Sequence, residues 1–291
     1  MKKKLNHKLK PYLMLMPAMI IILGIFVAGL TLGLLQSLGY FPAVGLREIT
    51  LKYYKEVIMD EGFLSSLKFS LWIAFMSSLL SVVIGVLLAY SIVVSKYKKG
   101  LEEIVYKLPI IVPHAVAALL IYTLLSQSGI LPRFLYSVGI IQEQFQFPAL
   151  LFDRNGIGII FAYVWKGTPF IAMVVYTVLS NINEKLQDVA MNLGANKRQV
   201  FLHVLLPLIM PSVLSSFIII FAFSFGAFEV PYLLGPTNPR ALPVKAFIEY
   251  THPDWTNRPY TMTINMILTA LSLLFIWIYH KTVKYISKYD G

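Results

Sequence analysis

The sequence predicts an all-α protein, a polytopic membrane bundle of six transmembrane helices with a helical elbow between the fourth and fifth spans. Of its 291 residues, 57% are hydrophobic and only 13% are charged, about half the charged fraction of a soluble domain. Six apolar stretches reach the roughly 20 residues that cross a hydrocarbon core of about 30 Å. The chain contains no cysteine, which excludes disulfides, thiolate metal sites and cysteine nucleophiles.

The first apolar run follows a basic tail, MKKKLNHKLK, that covers most of residues 1–11. This run is longer than the 7–15 apolar residues of a signal peptide, and it lacks a small-residue cleavage site. We therefore expect it to be a retained first span. The six spans make up residues 12–280, and a second tail covers 281–291. The expected spans are 12–35, 64–94, 104–126, 156–180, 204–228 and 260–280.

The distribution of basic residues predicts the orientation of the bundle. The two tails and the loops 95–103 and 181–203 hold 14 lysines and arginines, whereas the segments on the opposite side hold 8. Positively charged loops stay in the cytoplasm. The sequence therefore predicts that both termini and the elbow are cytoplasmic.

The elbow itself is two short helices joined by a glycine. Leu186, Val189, Ala190 and Leu193 follow the spacing of one helix face, and Gly194 suits the left-handed residue that ends a helix. Asn196, with Gln199 three residues later, is typical of a capping box at the start of the next helix. This second helix is expected to run directly into the fifth span.

The elbow is longer than a simple connection needs, since two spans can be joined by about 4–6 residues. Its apolar stripe requires a covering surface. A groove on another protein is one such surface, and the headgroup region of the bilayer is another. The physical argument alone leaves both open.

The segment 188–207 resembles a signature of permease subunits in binding-protein-dependent ATP-binding-cassette importers of type I: E-A-A, three residues, G, nine residues, then I-x-L-P. Asp188, Val189 and Ala190 take the first three places, Gly194 follows, and Val204, Leu205, Leu206 and Pro207 end the pattern with the same spacing. Asp188, Val189 and Val204 depart from the family residues. The resemblance covers roughly residues 60–280.

The resemblance implies that this loop is a cytoplasmic coupling helix that docks on a separate ATPase subunit through Asp188, Ala190, Gly194 and Pro207. It also implies a bacterial inner-membrane location, a second permease subunit, an extracellular solute-binding protein, and ATP with Mg²⁺ held by the partner ATPase. No cofactor is expected on this chain itself. The sequence agrees, since it contains no G-x-x-x-x-G-K-[ST] phosphate loop.

Ionisable residues inside spans are costly and usually face a cavity or a partner. Lys166 lies ten residues after Gly156, and His114 lies at a similar depth in the third span. Both are candidates for a substrate pathway. Alternatively, Lys166 pairs with a carboxylate or reaches the interface, and His114 bonds to a carbonyl group that Pro109 or Pro113 leaves free.

The outer end of the fifth span adds further pathway candidates. Glu229 is expected there, where it holds a loop, pairs with Arg240 or lies at the entry of the path. Aromatic residues nearby form either a collar around the path or an interface belt. These residues are Trp165, Phe170, Phe225, Phe228 and Tyr232.

Two other classes are less well supported. The five histidines are scattered and show no metal-binding spacing, which argues against an enzyme. A secondary transporter or channel is the other class, and the spans lack the embedded acidic residues of a proton-coupled carrier. For the substrate, the sequence after the fifth span resembles polyamine-type (spermidine/putrescine) permeases, and also ferric-iron and phosphonate types. A lysine and a histidine in the membrane would instead suit a small anion such as phosphonate or sulfate.

Overall fold

The computed structural model describes residues 2–94, 101–182 and 184–287. The structure is helical, and the described residues contain no strand, only an isolated bridge between Phe41 and Leu46. Parts of the predicted cytoplasmic segments lie outside these residues. They include 95–100 of the basic loop 95–103, Asn183 of the elbow loop, and 288–291 of the tail 281–291.

The described residues form thirteen α-helices. They are α1 (Lys2–Ser37), α2 (Lys52–Met59), α3 (Glu61–Val94), α4 (Leu101–Ile111), α5 (His114–Leu125), α6 (Ile130–Ser137), α7 (Ile157–Asn181), α8 (Glu184–Asn192), α9 (Lys197–Val200), α10 (Leu206–Gly226), α11 (Glu229–Leu234), α12 (Leu242–Tyr250) and α13 (Arg258–Ser287). A π-helical turn, Phe201–Leu205, joins α9 to α10.

Six helical segments are long and apolar enough to cross a membrane, which confirms the expected number of spans. They are Lys10–Ser37, Glu61–Val94, His114–Ser137, Ile157–Asn181, Lys197–Gly226 and Trp255–Thr282. The fifth begins at Lys197, because the second helix of the elbow continues into the membrane helix as the sequence predicted.

The third span differs from the prediction of one continuous helix over 104–126. Helix α4 ends at Ile111 and α5 begins at His114. Pro113 causes the break, because it has no N–H to donate and its ring disfavours helical backbone in the residue before it. The segment that qualifies as the third span therefore starts at His114.

The chain divides into two compact units, 1–60 with 246–267, and 61–245 with 268–291. In the first unit, the Thr263 hydroxyl donates to the carbonyl oxygen of Ser37 at 3.1 Å, and the Tyr260 hydroxyl donates to Asp60 at 2.7 Å. The first bond joins the start of α13 to the end of α1, and the second joins it to Asp60, the residue that follows α2.

The second unit is built on α3 and α7, with α10 packed against both. Small residues permit the close approach. A Cβ atom on Gly85 would lie 2.9 Å from the Ile171 side chain, and one on Gly167 would lie 2.8 Å from the Ser81 hydroxyl. At the end of this unit next to the elbow, the core includes Val86, Val175, Leu179, Val200 and Ile209.

Candidate functional site: the elbow and the polar cavity

The elbow, residues 184–207, turns at Gly194, which has a φ of +91°. The N–H of Ala195 donates to the carbonyl oxygen of Ala190, and the N–H of Gly194 donates to that of Met191. This pair of bonds is the Schellman arrangement that ends a helix with a left-handed residue. The predicted role of Gly194 as a helix terminator is confirmed.

The predicted cap of the second helix is also confirmed. Asn196 accepts a hydrogen bond from the backbone N–H of Gln199 at 2.9 Å, and the Gln199 side chain accepts one from the backbone N–H of Asn196 at 2.8 Å. Two donors that the helix itself leaves free are therefore satisfied. The start of α9 is fixed in direction relative to the turn.

Pro207 lies in the first turn of α10, directly after the π-helical turn. In an α-helix its N–H would donate to the carbonyl oxygen of His203, but proline has no such donor. The N–H of Leu206 instead donates to Phe201, five residues earlier. The signature proline thus coincides with a widened turn between the elbow and the fifth span.

The apolar stripe of α8 is largely uncovered in this chain. Leu186 is 48% exposed, Val189 is 56% exposed and Leu193 is 84% exposed. Ala190 differs, because it is partly buried against the core cluster at the elbow end of the second unit. The small side chain of Ala190 therefore seats the elbow on the bundle, while its larger neighbours face outwards.

Asp188 lies on a different side of α8. It lines a cavity of about 290 Å³ together with Lys197 of α9 and residues from the ends of α3 and α7, including Tyr90 and Ser180. Both a carboxylate and an ammonium group thus face the space between the elbow and the spans. The four predicted coupling residues lie in one continuous segment.

Lys166 of α7 is bonded to the end of α4 and to the break that follows it. Its Nζ donates to the carbonyl oxygen of Pro109 at 2.9 Å and also to that of Val112. The Pro109 carbonyl is free because the residue that would donate to it in a helix, Pro113, lacks an N–H. The group freed by proline is therefore bound by Lys166, whereas the sequence suggested His114.

His114 is the first residue of α5, and its ring lies against Phe223 of α10 with the ring centroids 4.9 Å apart. The residue before the helix is Pro113, which provides no side-chain cap. First-turn N–H groups lack partners within their own helix, and they give this end of a helix a partial positive charge. The start of α5 is thus an electropositive neighbour of Lys166.

His114 and Lys166 line one cavity of about 240 Å³, which we call the polar cavity. Tyr163 and Ser224 also line it, and each is only 2% exposed. Within the part of the chain that the structure describes, the hydroxyl groups of both lack a hydrogen-bond partner. The remaining lining residues are mainly apolar: Ile110, Gly167, Phe170, Ile219, Ile220 and Phe223.

The other predicted pathway residues are distributed more widely. Trp165 and Phe228 are not among the residues that line the polar cavity. Glu229 is the exposed first residue of α11 and interacts electrostatically with His114 and Lys166. No ion pair joins it to Arg240 within the described ranges.

The aromatic residues lie in separate groups. Phe170 lines the polar cavity, Phe228 stacks on Tyr232 at 4.9 Å, and Phe225 packs edge-on against Phe275 at 5.2 Å. Phe225 is buried in a cluster of phenylalanines. Phe225 therefore packs between α10 and α13.

Sequence reasoning missed Tyr163 and Ser224. A signal for Tyr163 was present, because residues 163, 166, 167 and 170 share one face of α7 by helical spacing. Ser224 could not be placed in the same way, since its proximity to α7 depends on how α10 packs. No group of histidine and carboxylate residues suited to a metal ion occurs in the described part of the chain.

The amino-acid sequence is similar to those of known permease proteins. Over 235 residues, the chain is 24% identical to the sulfate transport system permease protein CysT of Salmonella typhimurium, covering 80% of each chain. Over 164 residues, it is 28% identical to the spermidine/putrescine transport system permease protein PotB of Haemophilus influenzae, covering 56% of this chain and 55% of that protein.

Among solved structures, the fold is similar to a chain of a bacterial ABC transporter involved in the import of the acidic polysaccharide alginate. The TM-score is 0.76 at 20% sequence identity, and the match covers 98% of each chain. The model of one protein family, described as binding-protein-dependent transport system inner membrane component, matches residues 81–284. Together with the six spans and the elbow, this match shows that the chain belongs to the family of binding-protein-dependent transport system inner membrane components.

Proposed function

We propose that this chain forms half of the translocation path of an ATP-driven importer and that its elbow docks on a separate ATPase subunit. The exposed stripe of Leu186, Val189 and Leu193 carries this proposal. Apolar side chains on an amphipathic helix gain free energy when a groove on another protein covers them. Ala190 holds the helix against the bundle, so that the stripe is presented at a fixed angle.

The elbow is suited to transmit force as well as to bind. Helix α9 is continuous with the rest of the fifth span, Lys197–Gly226, and the capping box fixes where it starts. Movement of the docked ATPase would therefore move α10 and the residues it contributes to the polar cavity. ATP and Mg²⁺ would be bound by the ATPase, and this chain would have no catalytic role.

The proposed arrangement places the elbow and both termini in the cytoplasm, as the distribution of basic residues predicts. A solute-binding protein would then meet the opposite side, where the proline-rich segment 229–259 lies in the sequence. A second permease subunit, identical or different, would complete the path.

For the substrate, two classes of small solute have support. Polyamine is the expectation from the sequence after the fifth span, and PotB is a relative. A small oxyanion is supported by CysT, by the molybdenum permease ModB of Haemophilus influenzae, and by an ammonium group in the polar cavity. We favour the oxyanion, because Lys166 would repel a dication.

The absence of cysteine from the sequence allows a direct test of docking. A single cysteine at Leu193, the most exposed residue of the stripe, is expected to crosslink to the ATPase subunit in the assembled complex. A cysteine at Ile140, which is 68% exposed in the loop before α7, is the matched control and should not crosslink to it. Labelling of position 193 by lipid-phase reagents, with no crosslink to protein, would contradict the proposal.

A further inference from the structure

We infer that the polar cavity is a binding site for a small oxyanion on the permease itself, lined by Tyr163, Lys166, Ser224 and the start of α5. This inference rests on the proposed function as a permease. It assigns the recognition of substrate to named groups of this chain, in addition to any selection by a binding protein.

The two hydroxyl groups are the strongest observation. A buried hydroxyl without a partner costs free energy, and folded proteins rarely leave one unsatisfied. Two such groups, on Tyr163 of α7 and Ser224 of α10, are carried by residues that line the same cavity. Both can donate a hydrogen bond, and an oxyanion offers several acceptors at once.

The charge around the cavity selects for a negative ligand. An ammonium group has three N–H donors, and two of those on Lys166 are used by the carbonyl groups of Pro109 and Val112. The third has no acceptor within the part of the chain that the structure describes, so it is left for a ligand. The first turn of α5 adds N–H groups and a partial positive charge. Glu229 is the opposing charge, and it is exposed rather than part of the lining.

The size and walls of the cavity fit a small solute. The cavity volume is about 240 Å³, and one water molecule takes about 30 Å³. The cavity therefore has room for one tetrahedral oxyanion together with several water molecules. The apolar walls from Phe170, Ile220 and Phe223 lower the local dielectric constant, which strengthens charge-assisted hydrogen bonds. A polyamine would meet Lys166 in the same space.

The depth of the cavity favours a free solute over a lipid headgroup. Lys166 lies nine residues after Ile157, the first residue of α7, which is about 14 Å along the helix axis. Headgroups lie at the surfaces of a hydrocarbon core about 30 Å thick. A phosphate from a lipid could reach Lys166 only if the bilayer were locally deformed.

The test is binding of radiolabelled sulfate to the assembled complex in nanodiscs, without the solute-binding protein. Tyr163→Phe and Ser224→Ala are each expected to weaken sulfate binding by about tenfold, because each removes one hydrogen bond to a charged ligand. Neither should lower the melting temperature of the ligand-free complex, since no partner in the protein is lost. Molybdate should compete with sulfate, and putrescine should not.

Ser81→Ala and Thr168→Val are matched controls. Their hydroxyl groups are also buried and lack a partner within the described part of the chain, but they do not line the polar cavity. Both controls should bind sulfate like the unmodified chain. Equal loss of binding in the controls and the cavity variants would overturn the inference.

Two other outcomes would also overturn it: binding of putrescine with no binding of sulfate, or phosphatidylglycerol held at the site and not displaced by sulfate. Failure of the inference is separable from failure of the proposed function. If position 193 crosslinks to the ATPase but sulfate does not bind, only the inference is wrong. If sulfate binds but position 193 contacts only lipid, the ATPase-docking proposal fails and the site remains.

Discussion

Gly194 determines the geometry of the elbow through its backbone alone. A Cβ atom at this position would meet nothing within 4 Å, yet its φ of +91° is one that residues with side chains rarely adopt. Any effect of substitution should therefore come from backbone strain, since no steric clash occurs. Asparagine is the residue that best tolerates left-handed backbone after glycine.

We predict that Gly194→Asn retains most coupled transport, whereas Gly194→Pro abolishes it. Proline fixes φ near −65° and removes the N–H that donates to Met191. The measurement is solute transported per ATP hydrolysed in proteoliposomes, with insertion of each variant checked separately. Equal coupling in both variants would show that the left-handed turn is not needed.

Local sequence was sufficient to predict the elbow at the level of residues. Gly194, Asn196 and Gln199 act on backbone groups within five positions of themselves, so their spacing contains the necessary information. The polar cavity depends on contacts between residues distant in sequence, such as Lys166 with Pro109. The hydroxyl groups of Tyr163 and Ser224 become significant only when the packing of α7 and α10 is known.

Two helices in this chain are reshaped by proline. Pro113 separates α4 from α5 within the predicted third span 104–126, and Pro207 follows the π-helical turn that joins the elbow to α10. The sequence predicted spans from apolar length, a property that does not report whether the helix is continuous. For this reason the number of spans was correct while the form of the third was wrong.

We predict that Pro207→Ala changes the angle between the elbow and the fifth span. Alanine restores an N–H that can donate to His203, which should convert the π-helical turn into regular α-helix. Spin labels on cysteines at Val189 and Gly226 would report a change of several ångströms, together with reduced transport per ATP. An unchanged distance would mean that the π-helical turn does not depend on Pro207.

At the scale of the whole molecule, the second unit depends on the close packing of α3 and α7. A Cβ atom on Gly85 would lie 2.9 Å from two atoms of the Ile171 side chain and 3.0 Å from the carbonyl oxygen of Thr168. The carbonyl group cannot move without disturbing α7. Small residues at such positions allow membrane helices to approach one another closely.

We predict that Gly85→Val destabilises the protein by about 1–3 kcal/mol, the usual cost of overpacking a well-filled core. Gly24→Val is the matched control in α1, where a Cβ atom meets nothing within 4 Å. Melting temperatures of the two variants in the same detergent would give the comparison. A loss of stability in both would indicate an effect of valine on helices in general.

The two carbonyl groups held by Lys166 have an evolutionary consequence. A partly buried amine beside a broken helix is tolerated because the break itself supplies acceptors, and the break is tolerated because the amine satisfies them. Loss of Lys166 alone would leave the carbonyl groups at the break without a donor, and loss of Pro113 alone would leave the amine without those acceptors. Related permeases should therefore either keep Pro113 and Lys166 together or dispense with both, and a chain with a straight third helix should carry an uncharged side chain opposite it.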